Sequence, residues 1–134
     1  MLQVTCAIIL NGDKVLVTQR SEKMSFPLKW EFPGGKIEMG ETAENCLMRE
    51  INEELKIIIS ILEELIPVQY PYDSFTINLI PFVAKYESGE IHLSEHKAFK
   101  WLKNEELKSL DWASADIPVL DEFLKQNYDT TRNL

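Results

Sequence analysis

Residues 35–57 read GKIEMGETAENCLMREINEELKI, and the interpretation of this stretch decides the architecture. Thr42 is a suitable helix N-cap, and behind it Ala43, Cys46, Leu47, Ile51 and Leu55 recur at three-to-four spacing, the period of one buried helix face. On such a helix Glu50, Glu53 and Glu54 stand at i, i+3 and i+4, so their three carboxylates share one face. Like charges at that spacing repel by a few tenths of about 1 kcal/mol per pair. They also lie at the C-terminal end, where the helix dipole disfavours acids. A bound cation is the simplest compensation. Oxygen ligands of this hardness suit Mg²⁺, with Mn²⁺ as the alternative, and such ions also grip phosphates. The rival reading of a Glu-x-x-Glu-Glu run by itself is a solvated acidic face.

Outward from this helix the chain alternates strand and turn signals. Residues 3–10 are β-rich, Asn11-Gly12-Asp13 is a turn, and residues 15–18 form the partner of a hairpin. Residues 20–29 read as a loop, and Trp30-Glu31-Phe32 as a short extended segment ended by Pro33-Gly34-Gly35. Residues 57–61 favour strand by composition, and residues 75–86 read as a long strand. That strand is expected to turn at residues 87–90 into a partner at 91–93. Residues 98–102 form another strand and residues 104–107 one capped helical turn. Residues 114–126 form a last amphipathic helix with Pro118 in its first turn, and 127–134 a frayed tail. The expectation is an α+β fold, an αβα sandwich with a mixed sheet and two main helices.

Composition bounds the partners. The chain has 134 residues, the length of one domain, 1–134, and 45% hydrophobic with 27% charged residues is globular composition. Fourteen Lys+Arg against 22 Asp+Glu give a formal charge of -8, which argues against a nucleic-acid duplex as partner. A small polyanion remains compatible if a divalent ion neutralises the encounter. Two cysteines, Cys6 and Cys46, fit a reducing compartment rather than a disulfide framework. With no long apolar run and no leader pattern, the sequence reads as cytoplasmic and non-membrane, a monomer or homodimer.

Gly35, Glu41, Arg49, Glu50, Glu53 and Glu54 together match by chance only about once in 10⁷ placements. The pattern resembles the Nudix box, G-x5-E-x7-R-E-U-x-E-E-x-G-U with U apolar. It departs from it at Lys56, where the box has its second glycine. A lysine kept on that left-handed backbone costs about 1 kcal/mol. Residues 30–42, WEFPGGKIEMGET, and residues 115–120, ADIPVL, are similar to the MutT branch of that family.

The resemblance implies a Nudix fold, a divalent metal and hydrolysis of a nucleoside triphosphate to monophosphate and pyrophosphate, as in nucleotide-pool sanitation. It implies Glu50 and Glu54 as metal ligands with Glu53 close by, and the Gly34 carbonyl joining them. Glu41 and Arg49 would hold the loop against the helix. Glu95, six residues before Trp101, would be the loop glutamate of MutT-like enzymes. The general base is one of Glu50, Glu53 and Glu95.

Arg20 and Lys36 are candidate phosphate contacts or simply solvated cations. Asp116 reads equally as an N-cap and as a base contact. As a carboxylate it accepts from an exocyclic amine such as cytosine N4; protonated, it suits oxidised guanine. Its surroundings are similar to the CTP pyrophosphohydrolase members, so CTP-like and 8-oxo-dGTP substrates are rivals. Phe32, Tyr70, Tyr72 and Phe75 are stacking candidates or core, while His92 and His96 read as structural or surface residues. The alternative function is a nucleotide-binding regulator of Nudix fold without catalysis, against which the complete glutamate set argues.

Overall fold

Strand β1 (Leu2–Asn11) alternates its side chains between two apolar layers, and this double burial organises the fold. The computed structural model describes residues 1–126, so the expected frayed tail at 127–134 lies outside the described residues. Gly12 and Asp13 close the hairpin from β1 to β2 (Lys14–Gln19), with Asn11 opposite Lys14 and Leu10 opposite Val15. Beyond β2 come β3 (Trp30–Glu31), β4 (Gly34–Lys36), α1 (Ala43–Leu55), β5 (Ile58–Glu64) and β6 (Val68–Pro71). They are followed by β7 (Thr76–Ser88), β8 (Ala98–Leu102), a 3-10 turn (Asn104–Ser109) and α2 (Asp116–Lys125).

The sheet is mixed. Its main path runs β3-β2-β1-β7-β5, with β4 also on β1, β6 on β7 and β8 on β2. The central β1–β7 pair is parallel, in register from Leu2 opposite Ile77 to Leu10 opposite Lys85. On one face Ala7 and Ile9 pack with Leu47, Ile51 and Leu55 of α1. On the other, Cys6, Ile8 and Leu10 belong to the layer that holds Val119, Leu120 and Phe123 of α2. The αβα sandwich and mixed sheet expected from the sequence are present. No helix among the described residues is long and apolar enough to cross a membrane.

Several local expectations are corrected. Residues 91–93 are not a strand. Their segment instead serves the exposed end of α1: His92 N donates to Leu55 O (3.0 Å) and Ser94 N to Glu54 O (3.1 Å). A helix leaves its last carbonyls without internal donors, and this loop supplies them. The extended segment ends at Glu31, ahead of Pro33, but Gly34 and Gly35 open a further strand, β4, because a glycine can press against β1. A Cβ on Gly34 would lie 2.0 Å from Thr5 O. Strand β6 has no expectation in the sequence reading. Residues 104–109 form a 3-10 helix where one capped helical turn is expected, whereas α2 begins at Asp116 rather than Ser114.

Thr42 caps α1 as expected, its Oγ1 accepting from Asn45 N at 3.1 Å. Lys56 keeps the left-handed backbone that the glycine would have had, with φ 63° and ψ 31°, and its N–H donates to Asn52 O at 3.0 Å. Its side chain is exposed, so the strain has no packing return. Lys56→Gly is expected to stabilise the protein by about 1 kcal/mol, read as a higher urea midpoint at unchanged slope.

Candidate active site

Arg49 sits at the centre of the polar surface that α1 turns toward β4. Its Nη2 donates to Glu41 Oε1 (2.6 Å) and its Nε to Glu41 Oε2 (3.1 Å), a two-pronged grip that fastens the loop to the helix. Nη1 donates to Glu50 Oε1 (3.0 Å) and to Glu53 Oε2 (3.2 Å). The guanidinium holds the Glu41 carboxyl down to about 2, helped by the backbone N–H of Glu38. Glu38 N donates to Glu41 Oε1 at 2.8 Å, so the loop closes on itself as well as on α1.

The three helix glutamates do not share one environment. Glu53 is 60% exposed and turned to Arg49. Glu50 lies across Gly35, where a Cβ would come within 2.3 Å of its Cδ, so only glycine admits the carboxylate against β4. Glu54 is 20% exposed, and its Oε2 is buried without a hydrogen-bond partner. Burial first, then the hydrogen bond and charge of Glu50, then Glu31 and Glu95, push its carboxyl up to about 9. Among the described residues no three His, Cys, Asp or Glu side chains converge as a cation cage. The Glu50–Glu54 pair nevertheless fits a divalent ion: two neighbouring carboxylates, one oxygen of which is orphaned, with too little positive charge nearby. Mg²⁺ is commonly bound by one or two carboxylates plus waters and phosphates.

A cleft of about 270 Å³ opens beside this pair. Of the residues singled out from the sequence, it brings together Arg20, Phe32, Gly34, Lys36, Glu54, Tyr72 and Asp116. Glu95 stands apart, exposed in a neighbouring depression with Glu22 and Met24, although its charge reaches Glu54. Arg20 is committed locally: Nη1 donates to Glu31 Oε1 (2.8 Å), Nε to Ser25 O (2.6 Å) and Nη2 to Ser25 Oγ (3.0 Å). Phe32 packs its ring on Trp112, with centroids 4.7 Å apart, and is 2% exposed. Tyr72 stands among Phe26, Tyr70 and Phe75 at ring separations of 5.1, 5.0 and 5.3 Å.

The N-cap reading of Asp116 is corrected. Ala115 occupies that position, and Asp116 Oδ2 instead accepts from Phe32 N at 2.8 Å, joining α2 to the strand segment before β4. Asp116 is 7% exposed. Its burial and the Glu31 charge raise its carboxyl well above the usual range, opposed by the Phe32 N–H and Arg20.

Phe26, Glu31 and His96 line the cleft although the sequence assigns none of them to the site. Of the two histidines expected to be structural or surface residues, His92 is exposed and His96 is buried, its Nε2 2.7 Å from Glu31 Oε2. The available signal for Glu31 is its place as one acid between two buried aromatics, Trp30 and Phe32.

The Arg49–Glu41 pair has a measurable signature. The Glu41 carboxyl carbon is expected to titrate near pH 2, as followed by NMR. Since this native value lies below that of the unfolded chain (about 4.3), its stabilisation is present above the unfolded value. It is lost as the pH falls through the native one. Arg49→Met should move the midpoint back toward about 4.

Comparison with known proteins agrees with this geometry. Residues 1–123 match the NUDIX domain family. Over 124 residues the chain is 34% identical to the CTP pyrophosphohydrolase of Escherichia coli (strain K12), covering 92% of each protein. It is 33% identical over 123 residues to the 8-oxo-dGTP diphosphatase of the same strain, covering 89% of this chain and 93% of that one. The solution NMR structure of the DNA mismatch repair protein MutT (family Nudix hydrolase) from methicillin-resistant Staphylococcus aureus 252 superposes with a TM-score of 0.75. That likeness has 41% identity and covers 93% of this chain and 96% of the other. A NUDIX match over nearly the whole described chain, close relatives that are nucleotide hydrolases and an acid pair at the mouth of a cleft have one meaning: the chain belongs to the Nudix hydrolase family.

Proposed function

We propose that the protein hydrolyses nucleoside triphosphates to nucleoside monophosphate and pyrophosphate, in the manner of the nucleotide-pool sanitation enzymes, with CTP-like or oxidised guanine nucleotides as substrates. The observation that carries this reading is the orphaned Glu54 Oε2 beside Glu50, at the edge of a cleft that also holds the buried carboxyl of Asp116. One member of an acid pair suited to a cation, Glu54, and a buried polar group suited to a base, Asp116, thus line one concavity. The names of the two Escherichia coli relatives support both substrate classes.

In this reading Glu50 and Glu54 hold Mg²⁺, or Mn²⁺ in its place, with Glu53, Glu95 and the Gly34 carbonyl as further ligands. The ion, when bound, offsets charge on the phosphates and makes an attacking water more acidic. A carboxylate of Glu50, Glu53 or Glu95 takes the proton of that water as the α–β anhydride bond breaks. Lys36 and Arg20 contribute positive charge to the phosphates. Arg20 would act as an ion-paired, pre-oriented group, since Glu31 and Ser25 already fix its guanidinium. Glu41 and Arg49 keep the loop and the acid pair in register.

Asp116, with Phe32 and Tyr72 beside it, is the base contact. A carboxyl raised by burial is more often neutral than an ordinary aspartate, and a neutral carboxyl both donates and accepts. That dual capacity accounts for one cleft receiving either a cytosine amine or an oxidised guanine.

Two measurements check the reading. Glu50→Gln should lower kcat for pyrophosphate release by at least about 10² at unchanged fold. A variant as fast as the parent would remove Glu50 from the chemistry. Across a panel of CTP, dCTP, dGTP and 8-oxo-dGTP, Asp116→Asn should change the CTP to 8-oxo-dGTP ratio of kcat/KM by about tenfold or more. An unchanged ratio would leave Asp116 with Phe32 as its only partner.

A further inference from the structure

His96 is 3% exposed in its side chain, and its two ring nitrogens have unequal surroundings. Nε2 is 2.7 Å from Glu31 Oε2, and Glu31 is held in turn by Arg20 at 2.8 Å. Nδ1 is buried with no hydrogen-bond partner, and 4.0 Å away lies Glu54 Oε2, which is also buried and without a partner. Buried polar atoms are almost always paired, so two orphans facing each other just beyond hydrogen-bond distance require an explanation. A histidine retained for packing alone needs no such arrangement. The pair of contacts instead runs as a line, Arg20–Glu31–His96, that ends on Glu54, the cleft acid whose oxygen is left unpaired.

We propose that His96 is a positioning residue for the acid pair: anchored by Glu31, its ring holds the Glu54 carboxylate in the orientation that receives a divalent cation. The inference rests on the cation reading of Glu50 and Glu54. Groups that hydrogen-bond to a ligand carboxylate fix its orientation, and their loss typically weakens metal affinity or activity by about 10–100-fold. Glu31, reached from both Arg20 and His96, cannot swing away without breaking two bonds, so the anchor is firm at the end remote from Glu54. The chain of contacts also spans separate parts of the sequence: the end of β2, β3, the loop before β8 and the C-terminal turn of α1.

The experiment uses the full chain with Mn²⁺ as the probe, titrated by calorimetry, alongside kcat and KM for CTP. The parent should bind Mn²⁺ and Glu54→Gln should not. If the parent shows no binding, the cation reading itself fails, whatever His96 does. Given binding by the parent, His96→Ala should weaken Mn²⁺ affinity by about tenfold and lower kcat similarly, with KM for CTP within about twofold. His96→Asn places a polar atom where Nδ1 stands, whereas His96→Gln places one where Nε2 stands. Asn should therefore recover more of the Mn²⁺ affinity than Gln. Parental affinity in His96→Ala, or recovery by Gln and not by Asn, would overturn the proposal and leave His96 as a fastener for Glu31. Should the Ala variant not fold, the Asn and Gln variants decide by that same order. On the parent itself, the His96 Nδ1 resonance must shift when Mg²⁺ is added; an unmoved resonance also overturns it.

Discussion

The guanidinium of Arg49 faces Glu38, Glu41, Glu50 and Glu53, and it meets none of the need of Glu54. One positive charge is divided between two carboxylates of the loop before α1, Glu38 and Glu41, and two toward the helix end that disfavours acids, Glu50 and Glu53. The rest of the site depends on how this imbalance is distributed. Glu41 takes the two-pronged bond and is held down to about 2, whereas Glu50 shares a single nitrogen with Glu53. Glu54 is left with burial and negative neighbours, which together drive its carboxyl toward the neutral form. A positive partner at Glu50 and Glu54 relieves the one member of the cluster that Arg49 cannot. The repulsion read from spacing is thus concentrated on one residue rather than spread over three.

That concentration needs a close approach of backbone to carboxylate, and β4 supplies it. Gly34 lies against Thr5 of the central strand and Gly35 against Glu50, so the two glycines serve different neighbours on opposite sides of the same short strand. An added methyl at either would displace β1 or the acid. Because β1 is buried on both faces, β4 is fixed to the most rigid part of the sheet, and α1 packs on that sheet through Leu47, Ile51 and Leu55. The acid pair is therefore held by the core on one side and by a glycine strand on the other.

Legibility in the sequence follows the range of the forces involved. The helix α1, its Thr42 cap and the first hairpin are visible because periodicity and turn chemistry are local. The sandwich follows from the two helices and the strand runs between them. Residues 91–93 mislead because their apolar alternation looks like a strand, while the His92 N–H is used by Leu55 O of α1, nearly 40 positions earlier in the chain. Asp116 misleads in the same way, since an acid at the start of a helix is a cap by local rules. Phe32, 84 positions away, claims its oxygen instead. His96 and Glu31 meet across 65 positions, and a lone histidine carries no spacing signal that would reveal such a partner. What the Nudix-like pattern conveys is the local core of the site; its supporting contacts are long-range and belong to the fold.

The C-terminal end of α1 joins these two levels. Lys56 accepts a left-handed backbone that a glycine would adopt freely, and its N–H closes the helix on Asn52 O. The remaining carbonyls at this end are met from the loop between β7 and β8: Leu55 O by His92 N, Glu54 O by Ser94 N, and Glu53 O by Ser94 Oγ at 2.9 Å. The residues that satisfy the helix end are thus the immediate neighbours of Glu95 and His96. Capping the helix and delivering His96 to Glu54 are one structural act. Shortening the loop would expose carbonyls and withdraw His96 together. Lengthening it would relax the capping bonds that keep His96 within 4.0 Å of the carboxylate. The strain at Lys56 is accordingly placed where the chain must turn sharply enough for the same helix to carry the acids and receive the loop that orders them.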